Sequence, residues 1–316
     1  MKLHHLVASL LSLALSTLSS PLAIGQAYPS KPVRVVTGSA GSSIDFVART
    51  LATGLGATTG QNFLVDNRPV VGPDFVSKQA PDGYTLLVIG TIELETLFRK
   101  MSYEIRKDFL PITLATMSPD VVVVHPSLPV NNIRELIAHG KANPGKLNYA
   151  SGGVGTTPHL AGALFMSVAG MESVHVPFKG SAPAAAGLIA GDVQLAFSDV
   201  GSVLQHVRVG RLRALGVTSL KPSPLLPDMP TVAAALPGYE FTLNIGFFAP
   251  AKTPAPILGQ LNQESVKVLR SSDVKVKLFS AGMEAAGTSP EELTAVIEAE
   301  MTKMMKLIRD AGIKAE

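Results

Sequence analysis

LNYASGGVGTTPHLAGAL, residues Leu147–Leu164, changes character three times. Leu147 and Tyr149 open it as a short apolar run, a strand candidate. Ser151-Gly152-Gly153-Val154-Gly155-Thr156-Thr157 follows as a loop of small residues. Leu160, Ala163, Leu164 and Val168 then recur at helical spacing. Thr157 suits the N-cap, Pro158 the first helical position, where its missing N–H costs nothing, and Gly170 the stop. Strand, glycine loop and helix N-terminus together aim backbone N–H groups and the positive end of a helix dipole at one point, where an anion fits. Gly153-Val154-Gly155 begins a dinucleotide fingerprint, but Pro158 stands where its last glycine belongs. No Gly-Lys-Ser/Thr ends the loop, so it is not a nucleotide P-loop. Small anions that need only N–H and hydroxyl donors remain, and carboxylates are the simplest of them. A plain strand–turn–helix connection without a ligand is the alternative.

The same order of parts recurs upstream. Val33–Val36 is a strand candidate, Gly38-Ser39-Ala40-Gly41-Ser42-Ser43 a second small-residue loop, and Ile44, Val47, Ala48, Leu51 and Leu55 a helix capped by Ser42 or Ser43. Thr85–Ile89 is an apolar strand that ends in a third loop at Gly90-Thr91. Alternating helices and continuous apolar strands imply a parallel α/β sheet, whose ligands sit beyond the carboxyl ends of the strands. The three loops therefore belong on one edge. Two of them, far apart in sequence, could hold the two ends of one ligand.

Around these loops the chain reads as follows. Val65–Pro69 ends a strand and Asp74–Ala80 is a short helix. Ile112–Val124 carries the run Val121–Val124, a candidate link between domains. Asn132 and Glu135 open a capped helix. Val174–Phe178 is a strand, and Lys179-Gly180-Ser181 leads into an alanine-rich helix ending at Gly191. Val193, Leu195 and Phe197 alternate as a strand into Ser198-Asp199, and Arg213–Thr218 is another strand. Leu225–Gly238 is loop-like, and Phe241–Pro250 returns to strand character. Two helices close the chain. The last is marked by Ser289, Pro290 and Glu292, with Leu293, Val296, Ile297, Met304, Leu307 and Ile308 on its apolar face.

A chain of 316 residues, 46% hydrophobic and 16% charged, is globular and long enough for two domains. Its +3 net charge comes from 27 basic and 24 acidic residues in scattered order, and it has no Trp, so no nucleic-acid partner is expected. Met1–Ala27 has a basic start at Lys2, an apolar core over Leu6–Leu18 and small residues at Gly25-Gln26-Ala27, the pattern of a secretory signal; an uncleaved anchor is the alternative. The absence of Cys excludes disulfides, thiol chemistry and Cys-ligated metals. The seven histidines show no zinc spacing, and no G-x-S-x-G elbow is present, so neither metal, cofactor nor catalytic residues are expected. Ser151 and His159 alone do not make a nucleophile and base. Met301, Met304 and Met305 read as core filling.

Taken together, YPSKPVRVV, DNRP, APDGYTLLVIGT, KDFLPITL, VVVVHPSLPV, KANPGKLNYASGGVGTTPHLAGALF, VHVPFKGSAPA, GDVQLAFSD, GRLRALGVTS, LPDMPTV and GFFAPAKTP resemble, in order and spacing, the extracytoplasmic solute receptors of tripartite tricarboxylate transporters, the Bug family. The first loop departs from that family's P-G-G-x-x-D: Ala40-Gly41-Ser42-Ser43-Ile44-Asp45 keeps one glycine and the aspartate. The resemblance implies a two-lobed type II periplasmic binding fold. It also implies a monomeric periplasmic receptor, not an enzyme, that takes a small organic carboxylate into an interlobe cleft and delivers it to a membrane permease. The expected lobes are residues 28–119, residues 120–218, and a return segment 219–316 that belongs mainly with the first. Ser151, Gly155, Thr156 and Thr157 are expected to hold one carboxylate, with Ser39, Gly41, Ser42 and Thr91 facing it, Ser198 and Asp199 on the floor, and His159 orienting the loop. A diverged receptor acting in signalling and an exported α/β hydrolase are the rival functions.

Overall fold

The computed structural model describes residues 28–69, 71–90, 101–154 and 156–311. The expected signal segment 1–27 lies outside them, as do Thr91 and Gly155. The first elements are β1 (Val33–Thr37), α1 (Ser43–Thr59), β2 (Phe63–Asn67), α2 (Gly72–Ser77), β3 (Thr85–Gly90) and α3 (Ile105–Asp108). There follow β4 (Phe109–Val124), α4 (Ile133–Ala142), β5 (Asn148–Ser151), α5 (Thr157–Ala169), β6 (Val174–Pro177), α6 (Ser181–Ala190), β7 (Leu195–Asp199), α7 (Val200–Arg208) and β8 (Arg213–Val217). After a crossover with one 3-10 turn come β9 (Thr242–Pro250), α8 (Ala255–Arg270), α9 (Ser272–Ser280), β10 (Glu284–Ala285) and α10 (Pro290–Ala311).

Local chemistry sets the helix ends. Ser42 caps α1 by accepting the Asp45 N–H at 3.2 Å. Asn132 accepts from Glu135 N–H at 2.9 Å, and Ser289 and Glu292 form the reciprocal capping pair. Gly170 ends α5 in the left-handed conformation, φ 57°. The N-cap of α5 is Thr156, not Thr157, and Pro158 is one place further into the first turn. Among the described residues three helices, not two, follow Pro250; the additional one, α9, buries only Leu278 and so has no apolar stripe to announce it.

The strands form two sheets that share β4. In one, β2, β1 and β3 run parallel, β9 is inserted antiparallel between β3 and β4, and β10 pairs with the other side of β4. In the other, β7 and β8 flank β4 antiparallel, and β5 and β6 continue parallel from β7. The sheets are therefore mixed: β1, β2 and β3 run parallel, as do β5, β6 and β7, while β9 runs against the first set and β4 against the second. What the sequence presents as a link is a single strand of 16 residues. Phe109–Pro119 pairs with β9, and Asp120–Val124 with β7 and β8. Val121 and Val123 pack on the α6 and α7 side, Val122 and Val124 on the α4 and α5 side, which explains the unbroken valines.

Each lobe is a sheet between helical layers. α1 and α8 cover one face of the first sheet, and α2 with the start of α10 covers the other. α10 spans both lobes: Leu293 and Ile297 enter the first lobe's core, Met304 the second's. Met305 is exposed and fills no core.

Candidate ligand site

The carboxyl ends of the parallel strands carry the two donor loops. In the β5–α5 loop the hub is the Gly153 carbonyl, which accepts the hydroxyls of Ser151 at 2.9 Å and Thr156 at 2.8 Å. The Ser151 oxygen in turn accepts the Gly153 N–H at 3.1 Å and lies 2.7 Å from His175 Nε2. With its own hydrogen given to Gly153, it accepts the ring proton of His175, so the buried Ser151 side chain is saturated inside its loop. Gly153 itself sits at φ 142°, which favours glycine.

Beneath the loop the rings of His159 and His175 stack 4.0 Å apart, and Tyr149 lies 4.9 Å from His175. Burial, and then the neighbouring His159, push His175 down to about 4; burial also lowers His159. At neutral pH both imidazoles are uncharged, and the loop rests on a neutral aromatic stack.

The β6–α6 loop lies directly on this one. Gly180 N–H donates to Gly152 O at 3.0 Å, and Phe178 N–H to Ser151 O at 2.9 Å. A Cβ on Gly152 would stand 3.2 Å from Gly180 C and Ser181 N, so glycine permits the approach. Neither α5 nor α6 has a side-chain cap at its N-terminus. The uncapped start of α6 thus lies against the loop that leads into the equally uncapped α5, the two helices running off on opposite faces of the sheet. The α6 start is absent from the sequence reading, although Gly180-Ser181 before an alanine-rich helix is the same signal as the first.

In the other lobe, Asp45 organises the β1–α1 loop. Its carboxylate accepts from Gly41 N–H at 2.9 Å, Arg49 Nε at 3.0 Å and Asn67 Nδ2 at 2.7 Å. Burial alone would raise its pKa, but the bonds from Arg49, Asn67 and Gly41 win and hold it below the usual carboxylate range. Asn67 also donates to Gly38 O at 2.9 Å. Gly41 N–H is thereby committed to Asp45, and Ser42 to its capping role. Ser39 is exposed, and its carbonyl accepts the Ser42 N–H. Asp199, at the end of β7, caps α7 through Ser202 N–H at 2.8 Å, beside Ser198. The turn after α9 reaches across from the first lobe: a Cβ on Gly282 would be 3.0 Å from Gly201 N, in the first turn of α7.

Two lobes with facing small-residue loops on strand ends define a solute-binding receptor. The chain belongs to the tripartite tricarboxylate transporter family receptors, whose model matches residues 47–313. It is 37% identical over 314 residues to the UPF0065 protein of the tcbD–tcbE intergenic region of Pseudomonas sp. (strain P51), covering 96% of this chain and 94% of that protein. Protein BugT of Bordetella pertussis is 32% identical, with 91% of each chain covered. Among solved structures, Rhodopseudomonas palustris Rpa4515 with adipate superposes with a TM-score of 0.76 at 33% identity, over 91% of this chain and 99% of the other. MatC of the same organism, with bound malate, gives 0.73 at 28%, over 89% and 100%. The two-lobed periplasmic binding architecture is common to them.

Proposed function

We propose that the chain, after loss of residues 1–27, is a monomeric periplasmic receptor that closes on a small organic carboxylate and passes it to the permease of a tripartite transporter. The division into residues 28–119 and 219–316 against 120–218 is part of this reading. The observation that carries it is the pair of uncapped helix N-termini of α5 and α6, held together at Gly152 and Gly180. Each aims partial positive charge at the strand ends, where a carboxylate is received. Loops 38–43 and 151–157 contain no Arg or Lys, so within them backbone amides and hydroxyls do the holding, while the adjoining loop carries Lys179 before Gly180. Thr156, Thr157 and Ser181 line that point, whereas Ser151, His175 and His159 position it. Ser39 and Ser42 close from the other lobe, with Gly41 fixed by Asp45, and Ser198 and Asp199 lie between. The adipate and malate of the two relatives place aliphatic acids first in any search.

The test is thermal unfolding of the mature chain against mono-, di-, tri- and aromatic carboxylates, with small-angle scattering alongside. A ligand at a hundred times its dissociation constant adds about 2.7 kcal/mol, on the order of 5–10 °C for a chain of this size. A stabilising acid that also compacts the molecule supports the reading. No shift with any acid overturns it.

A further inference from the structure

Three stretches of chain pass between the lobes: β4, the crossover from β8 to β9, and α10. All three wall one cavity of about 550 Å³. β4 contributes Met117 and Pro119, where its pairing with β9 gives way to pairing with β7. The crossover contributes Leu220 and Pro222, just after β8, and Glu240, just before β9. α10 contributes Val296, Glu300 and Lys303, in the turns between Leu293 of the first lobe's core and Met304 of the second's. Among the described residues, none from loops 38–43, 151–157 or 178–181 lines it, and neither Ser198 nor Asp199 does. It is therefore separate from the carboxylate site, and its volume falls within the range of small-molecule sites, about 300–1,000 Å³.

Two chemistries meet there. Met117 is 39% and Leu220 57% exposed, and with Pro119, Pro222 and Val296 they give the cavity an apolar wall open to solvent. The polar wall is acidic. Met117 pairs with Asn244 of β9 and Glu284 of β10, so the three side chains share one face. Glu284 accepts the Ser223 hydroxyl at 2.5 Å and, among the described residues, stands in no ion pair. The buried Glu300 accepts Asn244 Nδ2 at 2.5 Å. Lys303 is committed to Glu240, its Nζ lying 3.1 Å from both the carboxylate and the carbonyl of that residue. Lys221, the remaining cation of the lining, is exposed to water. Three carboxylates thus face two ammonium groups, one of which is already paired.

We propose that this cavity is a second ligand site, which takes a small organic cation with an apolar body, an alkyl- or arylalkylammonium. The ammonium meets the Glu284 carboxylate, whose lone pairs one hydroxyl does not exhaust. The hydrocarbon covers Met117 and Leu220 and removes them from water. An anion of the same shape would be set against Glu284 and Glu300, and a neutral molecule would leave Glu284 without a counter-charge. Because the walls belong to both lobes, the occupant touches each of them and every described passage between them.

The experiment titrates the mature chain with n-hexylamine and 2-phenylethylamine, and with n-hexanol and 2-phenylethanol as neutral matches, by calorimetry and thermal shift. Wild type is expected to bind at least one amine saturably, about tenfold or more tightly than its matched alcohol. Glu284→Gln, which can still accept from Ser223, should weaken amine binding about tenfold. Leu220→Ser, at an exposed position that the fold does not need, should weaken it as well. The folded Glu284→Gln protein should respond to the carboxylate panel as wild type does. No saturable amine binding, or alcohols that bind as tightly as the amines, overturns the proposal. So does amine binding unchanged in folded Glu284→Gln, and a loss of carboxylate binding in that variant would overturn the cavity as a separate site.

Discussion

At the scale of the residue, His175 is the side chain whose removal tests the site without touching ligand. It donates to the saturated Ser151 hydroxyl and stacks on His159. His175→Ala is expected to weaken carboxylate binding by about tenfold, the value of one lost hydrogen bond. It should also speed hydrogen exchange at Gly153 N–H. His175→Gln, which can still donate to Ser151, should recover most of the affinity. The same residue sets an acid limit. Its pKa falls from 6.5 unfolded to about 4 folded. The unfolded state thus binds the proton first, and the stabilisation present above 6.5 is lost as pH falls from there through about 4. Unfolding followed between pH 7 and 4 should show a shallower loss in His175→Gln than in wild type. Asp45 is the counterpart in the other lobe. Asp45→Ala removes three bonds at once and leaves Gly41 N–H without its acceptor, a cost of about 1–3 kcal/mol in stability. Denaturant unfolding measures it.

At the scale of the element, what was legible in the sequence was what is local. Ser42, Asn132 and Ser289 start helices because their side chains bond the N–H three residues ahead, and such signals need no tertiary context. The N-cap of α5 falls one residue early because Thr156 and Thr157 suit the role equally, and Thr156 turns its hydroxyl back to Gly153 instead. Nothing local joins His175 to Ser151, 24 residues away. Their contact exists because β5 and β6 pair in parallel with Tyr149 opposite His175. The length of β4 is hidden by Pro111 and Pro119, which sit in it near register shifts and at the end of its β9 pairing. The shared approach of α5 and α6 gives a further prediction. Gly152→Ala places a methyl 3.2 Å from the backbone of the neighbouring loop and must push the two helix starts apart by a few tenths of an ångström. Ligand affinity is expected to fall by more than stability does, which calorimetry and thermal unfolding on one sample would separate.

At the scale of the molecule, the lobes meet through β4, α10 and the turn at Gly282. This glycine has φ 77°, and its missing side chain lets the first lobe rest on the N-terminus of α7. Gly282→Val should hold the cleft apart, raise the radius of gyration of the ligand-bound form toward that of the free form, and weaken binding while leaving each lobe folded. An unchanged scattering profile would falsify the role of this contact. Length and the Val121–Val124 link already pointed to two domains, but the particular two-lobed plan was legible only through resemblance. Apolar runs mark strands, but nothing in their composition says that β9 inserts between β3 and β4.

That insertion bears on how the protein comes into being. β3 and β4 lie on either side of β9 and pair with it, not with each other. As the chain emerges from its N-terminus, β1, β2 and β3 must wait for Thr242–Pro250 before their sheet has a neighbour to close it. Until then β3 presents a bare apolar edge, open to other chains. The second sheet has no such delay, since β4 to β8 arrive in one run. Folding should therefore begin in the middle of the sequence and finish at both ends together, with premature association as the failure most to be expected when synthesis stalls before the last strand.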